Sequence, residues 1–250
     1  MNETAPNGAA TPPDAAAQLA MKREPIFNLP PIVVAFIAIC CVIHVACYFF
    51  LGPQLQDWAW FLWRAAFIPI RYSGQIPLDV YAFTTPVTYS FLHGNWMHLI
   101  VNMIWLAAFG SPLANRIGAA RFVLFWGASS VAAVALFYVF HMSSLAPLVG
   151  ASGAISGMMG AAARFGFRID RSSGKAAFGG PVLPISIVLR SRGVVTFLIV
   201  WMAVNLVTGL YDADPSAGGQ IAWEAHIGGF LVGFFGIRSF DRAKRRGSRA

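Results

Sequence analysis

Four polar side chains stand out in a chain that is 57% hydrophobic and 11% charged: Ser152, His226, His98 and Asn102. Each falls in the first turns of an otherwise apolar run. A serine becomes a nucleophile when a base lies beside it, and neutral imidazole is the usual one. Ser152 and His226 are therefore the residue types that acyl transfer needs. His98 and Asn102 are four apart and share one helix face. Their N–H groups could hold the oxyanion that develops when a carbonyl is attacked. Ser152 opens its own run, so its backbone N–H is free at a helix start, where the dipole favours negative charge. A triad would add a carboxylate to orient the histidine. Glu224 is two residues from His226 and points nearly the opposite way on a helix, and Asp212 and Asp214 lie in a loop. The arrangement reads as a Ser152/His226 dyad.

Each of these residues has a plainer reading when taken singly. Ser152 lies in "LVGASGAISGMMG" (148–160), where small residues let helices pack and a hydroxyl is ordinary hydrogen-bonding glue. His226 alone could be a structural histidine held by a hydrogen bond. The elements that carry these residues decide between the readings.

Six stretches are apolar enough to be read as membrane spans, which need roughly 20 residues. They are 31–51, about 92–110, 122–140, 148–167, 194–211 and 221–240, the second and fourth being short. If the spans alternate, 16 of the 18 Lys and Arg fall on one side, leaving Arg64 and Arg71 on the other. The positive-inside rule then puts both termini in the cytoplasm. The net charge of +8 is thus orientation and lipid contact, not a nucleic-acid surface. Spans 2, 4 and 6 all run inward from the outer side, so His98, Asn102, Ser152 and His226 share one depth. Ionisable groups in a membrane are costly and mark function. Gly153 and Gly157 on span 4, and Ala225, Gly229 and Gly233 on span 6, form small-residue faces that allow close approach. That approach would bring Ser152 to His226. Asn205 in span 5 reads as interhelical hydrogen bonding, and His44 and His141 as structural.

The remaining segments organise around these spans. Residues 1–30 read as a disordered cytoplasmic tail, 31–240 as one six-span domain, and 241–250 as a basic cytoplasmic tail. The outer loop between spans 1 and 2, roughly 52–86, is rich in tryptophan and is expected to lie in the interface plane. Cys40, Cys41 and Cys47 fall in one apolar run and offer neither a disulfide framework nor metal spacing. No cofactor or metal is expected.

"GASG" (150–153), "HGNWMHLIVN" (93–102) and "AHIGGFLVG" (225–233) resemble the motifs of the rhomboid intramembrane serine proteases, in family order. The resemblance covers about residues 31–240. It implies an all-α membrane protein: a bundle of six transmembrane helices, with an interfacial outer loop between spans 1 and 2 and a cavity opening outward. It makes Ser152 the nucleophile and His226 the general base, with His98, Asn102 and the Ser152 backbone N–H as the oxyanion hole. Gly150, Gly153, Gly157, Gly229 and Gly233 would pack the helices near the site. Implied partners are single-span membrane proteins, cut near the outer end of their helix, and the lipid bilayer. A bacterial plasma membrane is the expected home, and 211–222 the expected cap over the site. Many members carry a Trp-Arg pair shortly before the histidine motif, where this chain has "TTP" (84–86). Some have a tyrosine four residues after the nucleophile, where this chain has Ser156. The rival readings are a non-catalytic rhomboid-like binder of client transmembrane segments and, last, a small transporter.

Overall fold

The computed structural model describes residues 29–51, 55–211 and 222–241. The two expected tails, except for residues 29, 30 and 241, and most of the expected cap lie outside the described residues. Helix α1 spans Pro31–Ala46 and continues through a π-turn, Cys47–Leu51. The loop after it is largely helical: α2 spans Leu55–Ala65 and α3 spans Tyr81–Thr88. Helix α4 (Trp96–Trp105) passes through a second π-turn at Leu106–Gly110 into α5 (Ser111–Ile117). Helix α6 spans Ala119–His141 and α7 spans Ser152–Arg164. A two-stranded antiparallel hairpin, β1 (Ile169–Asp170) with β2 (Ala177–Phe178), pairs Ile169 with Phe178. A single turn, α8 (Ile185–Val188), leads into α9 (Arg192–Tyr211), and α10 spans Trp223–Phe240.

Among the described residues, three helices are long and apolar enough to cross a membrane: Pro31–Phe50, Trp96–Ile117 and Ala119–His141, while Arg192–Val207 is a shorter apolar helix. The second expected span is thus longer than hydropathy suggests. Its apolar run stops near residue 110, but the π-turn carries the helix on to Ile117. The fourth is shorter than 148–167, because helix begins only at Ser152 and stops at Arg164. Gly166 and Phe167 then take left-handed backbone, which ends the helix.

The core gathers around α7, in which every residue from Gly153 to Arg164 is buried. A helix so enclosed must be slim where other backbones approach it, which is why its sequence, SGAISGMMGAAAR, is mostly glycine, alanine and serine, with Ile155, Met158 and Met159 packed into the core. Larger side chains fill the neighbouring space. Phe36, Phe91, Phe122 and Trp126 meet with ring centroids 4.7–5.7 Å apart, pairs worth about 0.5–1.5 kcal/mol each beyond area burial. The Trp126 indole N–H, fully buried, donates to Ser90 Oγ at 2.8 Å, so the cluster leaves no donor stranded there.

Candidate active site

The chain enters α7 along a segment pinned from outside. Leu148 exchanges two backbone hydrogen bonds with Phe67, at 2.8 and 3.2 Å, and Gly150 N–H donates to the Tyr89 carbonyl at 3.1 Å. Gly150 has φ +128°, a conformation that side-chain-bearing residues avoid. A Cβ there would also fall 2.8 Å from His98 Cε1 and Nε2 and 3.6 Å from Ser152 Oγ. The His98 ring therefore lies over Gly150, beside the serine hydroxyl. Two residues later Ser152 takes the first position of α7, where a backbone N–H has no intrahelical acceptor.

Helix α10 reaches Ser152 because two pairs of glycines remove the side chains between the backbones. A Cβ on Gly229 would overlap the Gly153 carbonyl, and one on Gly233 would overlap the Gly157 carbonyl. The residue numbers rise together, so the two helices run parallel. One turn before Gly229, on the same approach, His226 Nε2 lies 2.8 Å from Ser152 Oγ. The other ring nitrogen, Nδ1, meets Asn205 Oδ1 on α9. Asn205 is buried, and its Nδ2 donates to the Trp201 carbonyl at 2.7 Å. Ser152, His226 and Asn205 thus form one hydrogen-bonded chain across three helices.

Helix α4 closes the site on the other side. Asn95 caps it, its side chain accepting from the His98 backbone N–H at 2.8 Å. Asn102 is buried on the His98 face one turn further along, its Nδ2 donating to the His98 carbonyl at 3.0 Å. Behind His98 stands His93, with ring centroids 5.1 Å apart, and the His93 carbonyl accepts from His44 Nδ1 at 3.1 Å. Chemically, the hydroxyl–imidazole contact can move a proton from Ser152 to His226. The helix start and the His98 ring bring N–H groups near Ser152, where the oxyanion of an attacked carbonyl would form. Among the described residues, no group of three or more His, Cys, Asp or Glu is disposed to hold a metal.

Two relationships escaped the sequence reading. Asn205 reads as interhelical hydrogen bonding, and it does bond across helices, but the sequence does not name its partner, the His226 ring. The signal was available: Asn205 lies six residues before the end of its helix at Tyr211 and His226 lies in the first turn of the next helix, so the expected alternation of spans would set both at one depth. His141, read as structural, bonds Glu224 Oε1 at 3.1 Å, which also shows Glu224 turned away from His226.

The match of residues 81–239 to the Rhomboid domain agrees with this geometry. The chain is similar to rhomboid protease GlpG of Enterobacter sp. strain 638, 26% identical over 162 residues, covering 65% of this chain and 49% of that protein. The corresponding protein of Klebsiella pneumoniae strain MGH 78578 is 26% identical over 220 residues, covering 86% and 67%. That of Serratia proteamaculans strain 568 is 30% identical over 151 residues, covering 59% and 44%. The aligned part of the chain spans between 44% and 67% of the length of these curated relatives.

Proposed function

The chain belongs to the rhomboid family, and on that premise we propose that it is an intramembrane serine endopeptidase. It is an integral membrane protein, and its substrates are single-span membrane proteins cut near the outer end of their transmembrane segment. The observation that carries this reading is the 2.8 Å contact between Ser152 Oγ and His226 Nε2.

His226 accepts the Ser152 proton as the hydroxyl oxygen attacks the scissile carbonyl. The resulting oxyanion is held by the Ser152 backbone N–H, the His98 ring and the Asn102 amide. His226 then returns the proton to the leaving amine, and a water activated by the same imidazole releases the acyl group. A substrate helix must unwind first, because a helical carbonyl already accepts a hydrogen bond and is shielded by its neighbours. The wider setting follows the family and the charge distribution. Six spans cross a bacterial plasma membrane with both termini in the cytoplasm, and the substrate enters sideways past the second and fifth.

The test uses full-length protein purified in detergent and a fluorogenic single-span substrate. Wild type is expected to cleave it and to be labelled at Ser152 by a fluorophosphonate. Ser152→Ala and His226→Ala are expected to be inert in cleavage. Cleavage by both variants at the wild-type rate would end the protease reading in favour of a non-catalytic client binder.

A further inference from the structure

The Asn205 amide has two ends, and their partners differ. One faces the Trp201 carbonyl, which can only accept, so that end must be Nδ2, and it donates at 2.7 Å. Oδ1 is thereby aimed at His226 Nδ1. An amide oxygen cannot donate, so Nδ1 must carry the ring proton, and Nε2 must present its lone pair. The atom facing that lone pair is Ser152 Oγ, at 2.8 Å. The Trp201 carbonyl on α9 thus orients the amide, and the amide determines which imidazole nitrogen is basic.

We propose that Asn205 is a positioning residue for catalysis: it fixes the tautomer and rotation of His226, making a Ser152–His226–Asn205 relay. This rests on the acyl-transfer reading above and deepens it. During the reaction no proton passes to Asn205. When Nε2 takes the serine proton, the ring becomes a cation, and the bond from Nδ1–H to Oδ1 becomes charge-assisted and stronger. The amide does this without a charge of its own, the positive charge of the imidazolium facing the oxygen end of a neutral dipole. The carboxylate nearest in sequence is otherwise engaged, since Glu224 bonds His141. The assignment also gives Asn205 a reason to be buried in an apolar helix beyond holding it to its neighbour, a task already served by the Trp201–Phe230 stack at 5.1 Å.

The experiment compares Asn205→Leu, Asn205→Asp and wild type, as full-length protein in detergent, with Ser152→Ala and His226→Ala alongside. Leucine keeps the bulk and suits the membrane but removes the acceptor; aspartate keeps an acceptor oxygen at the same reach. We expect Asn205→Leu to lose ~10–100-fold in kcat, the size of loss that follows removal of the partner orienting a metal-bound histidine, taken here as the analogue. KM should stay close to wild type and Tm should fall only modestly, from the lost acceptor of the His226 Nδ1–H, while fluorophosphonate labelling of Ser152 should slow in parallel with kcat. Asn205→Asp should recover most of the loss. A wild-type kcat in Asn205→Leu, or equal impairment of the leucine and aspartate variants, would overturn the assignment. The two readings fail separately. Ser152→Ala and His226→Ala inert with Asn205→Leu fully active removes the relay alone, whereas cleavage by both inert-site variants removes the protease reading itself.

Discussion

His141 Nε2 and Glu224 Oε1 stand 3.1 Å apart, joining the last turn of α6 to the first turn of α10. Glu224 is largely buried and His141 about one-third exposed. The pair therefore fixes where α10 begins, two residues before His226. The carboxylate also sits in the first helical turn, where it offsets the positive end of the helix dipole.

Replacing Glu224 with alanine removes both effects and leaves the His141 ring without its partner. The expected cost is about 1–3 kcal/mol of stability, the range for a partly buried hydrogen bond to a charged group. Thermal unfolding in detergent should show a lowered Tm, and kcat should fall less than for any change to Ser152, His226 or Asn205.

The glycines of α10 are expected to divide sharply. Gly229→Ala and Gly233→Ala would each drive a methyl into a carbonyl of α7, so neither variant should be both stable and active. At Gly236 the nearest atom to an added Cβ is Val232 Cγ1 at 4.0 Å. Gly236→Ala should therefore be tolerated, and should gain up to about 1 kcal/mol from helix propensity. Tm and cleavage rate for the three variants provide the check.

Gly150→Ala combines a disfavoured backbone conformation with a methyl aimed at the His98 ring. Strain of this kind costs about 1–3 kcal/mol, which a modest fall in Tm would report. The larger effect is expected in kcat, because the ring that must yield is the one beside Ser152. A Gly150→Ala variant with wild-type kcat would show that His98 does not need its observed position.

His98→Ala and Asn102→Ala probe the oxyanion directly. Loss of one such donor costs about 2.7–4 kcal/mol in the transition state, or ~100–1,000-fold in kcat. The effect should fall on kcat rather than KM, since the charge exists only during reaction. Steady-state kinetics on the single-span substrate would separate the two parameters.

Much of this site can be read from spacing and hydropathy, because depth in a membrane is a one-dimensional property. Counting inward from the ends of apolar runs puts Ser152, His226, His98 and Asn102 at one level, and the glycine spacing names the faces that approach. What cannot be read this way is contact between elements far apart in sequence. The Asn205–His226 bond joins residues 21 apart, and the His141–Glu224 bond residues 83 apart. Neither leaves a periodic trace in its own helix. Hydropathy also missed the continuation of the second span to Ile117. The run after residue 110 is polar, and a π-turn preserves backbone bonding where the apolar pattern stops. The 52–86 loop, expected to lie in the interface plane, contains two helices, Leu55–Ala65 and Tyr81–Thr88. This chain's own Trp-Arg pair, Trp63 and Arg64, some thirty residues before His93 and so away from the family's position, belongs to the first of these. Arg64 lies over the Trp60 ring at 3.7 Å and donates to the Tyr81 hydroxyl at 3.2 Å, so one side chain of that pair ties the two loop helices together.

The paired glycines have a mechanical consequence. Gly153 and Gly157 face Gly229 and Gly233 with the same four-residue repeat on both helices, so the contact acts as a ratchet with one tooth per turn. A slide of a single residue would set a side chain against a carbonyl. The next seating that the teeth permit is a whole turn away, ~6 Å along the axis at 1.5 Å per residue. At that seating Ser152 and His226 are out of hydrogen-bonding range. Sliding along the axis therefore cannot misalign the dyad by small steps.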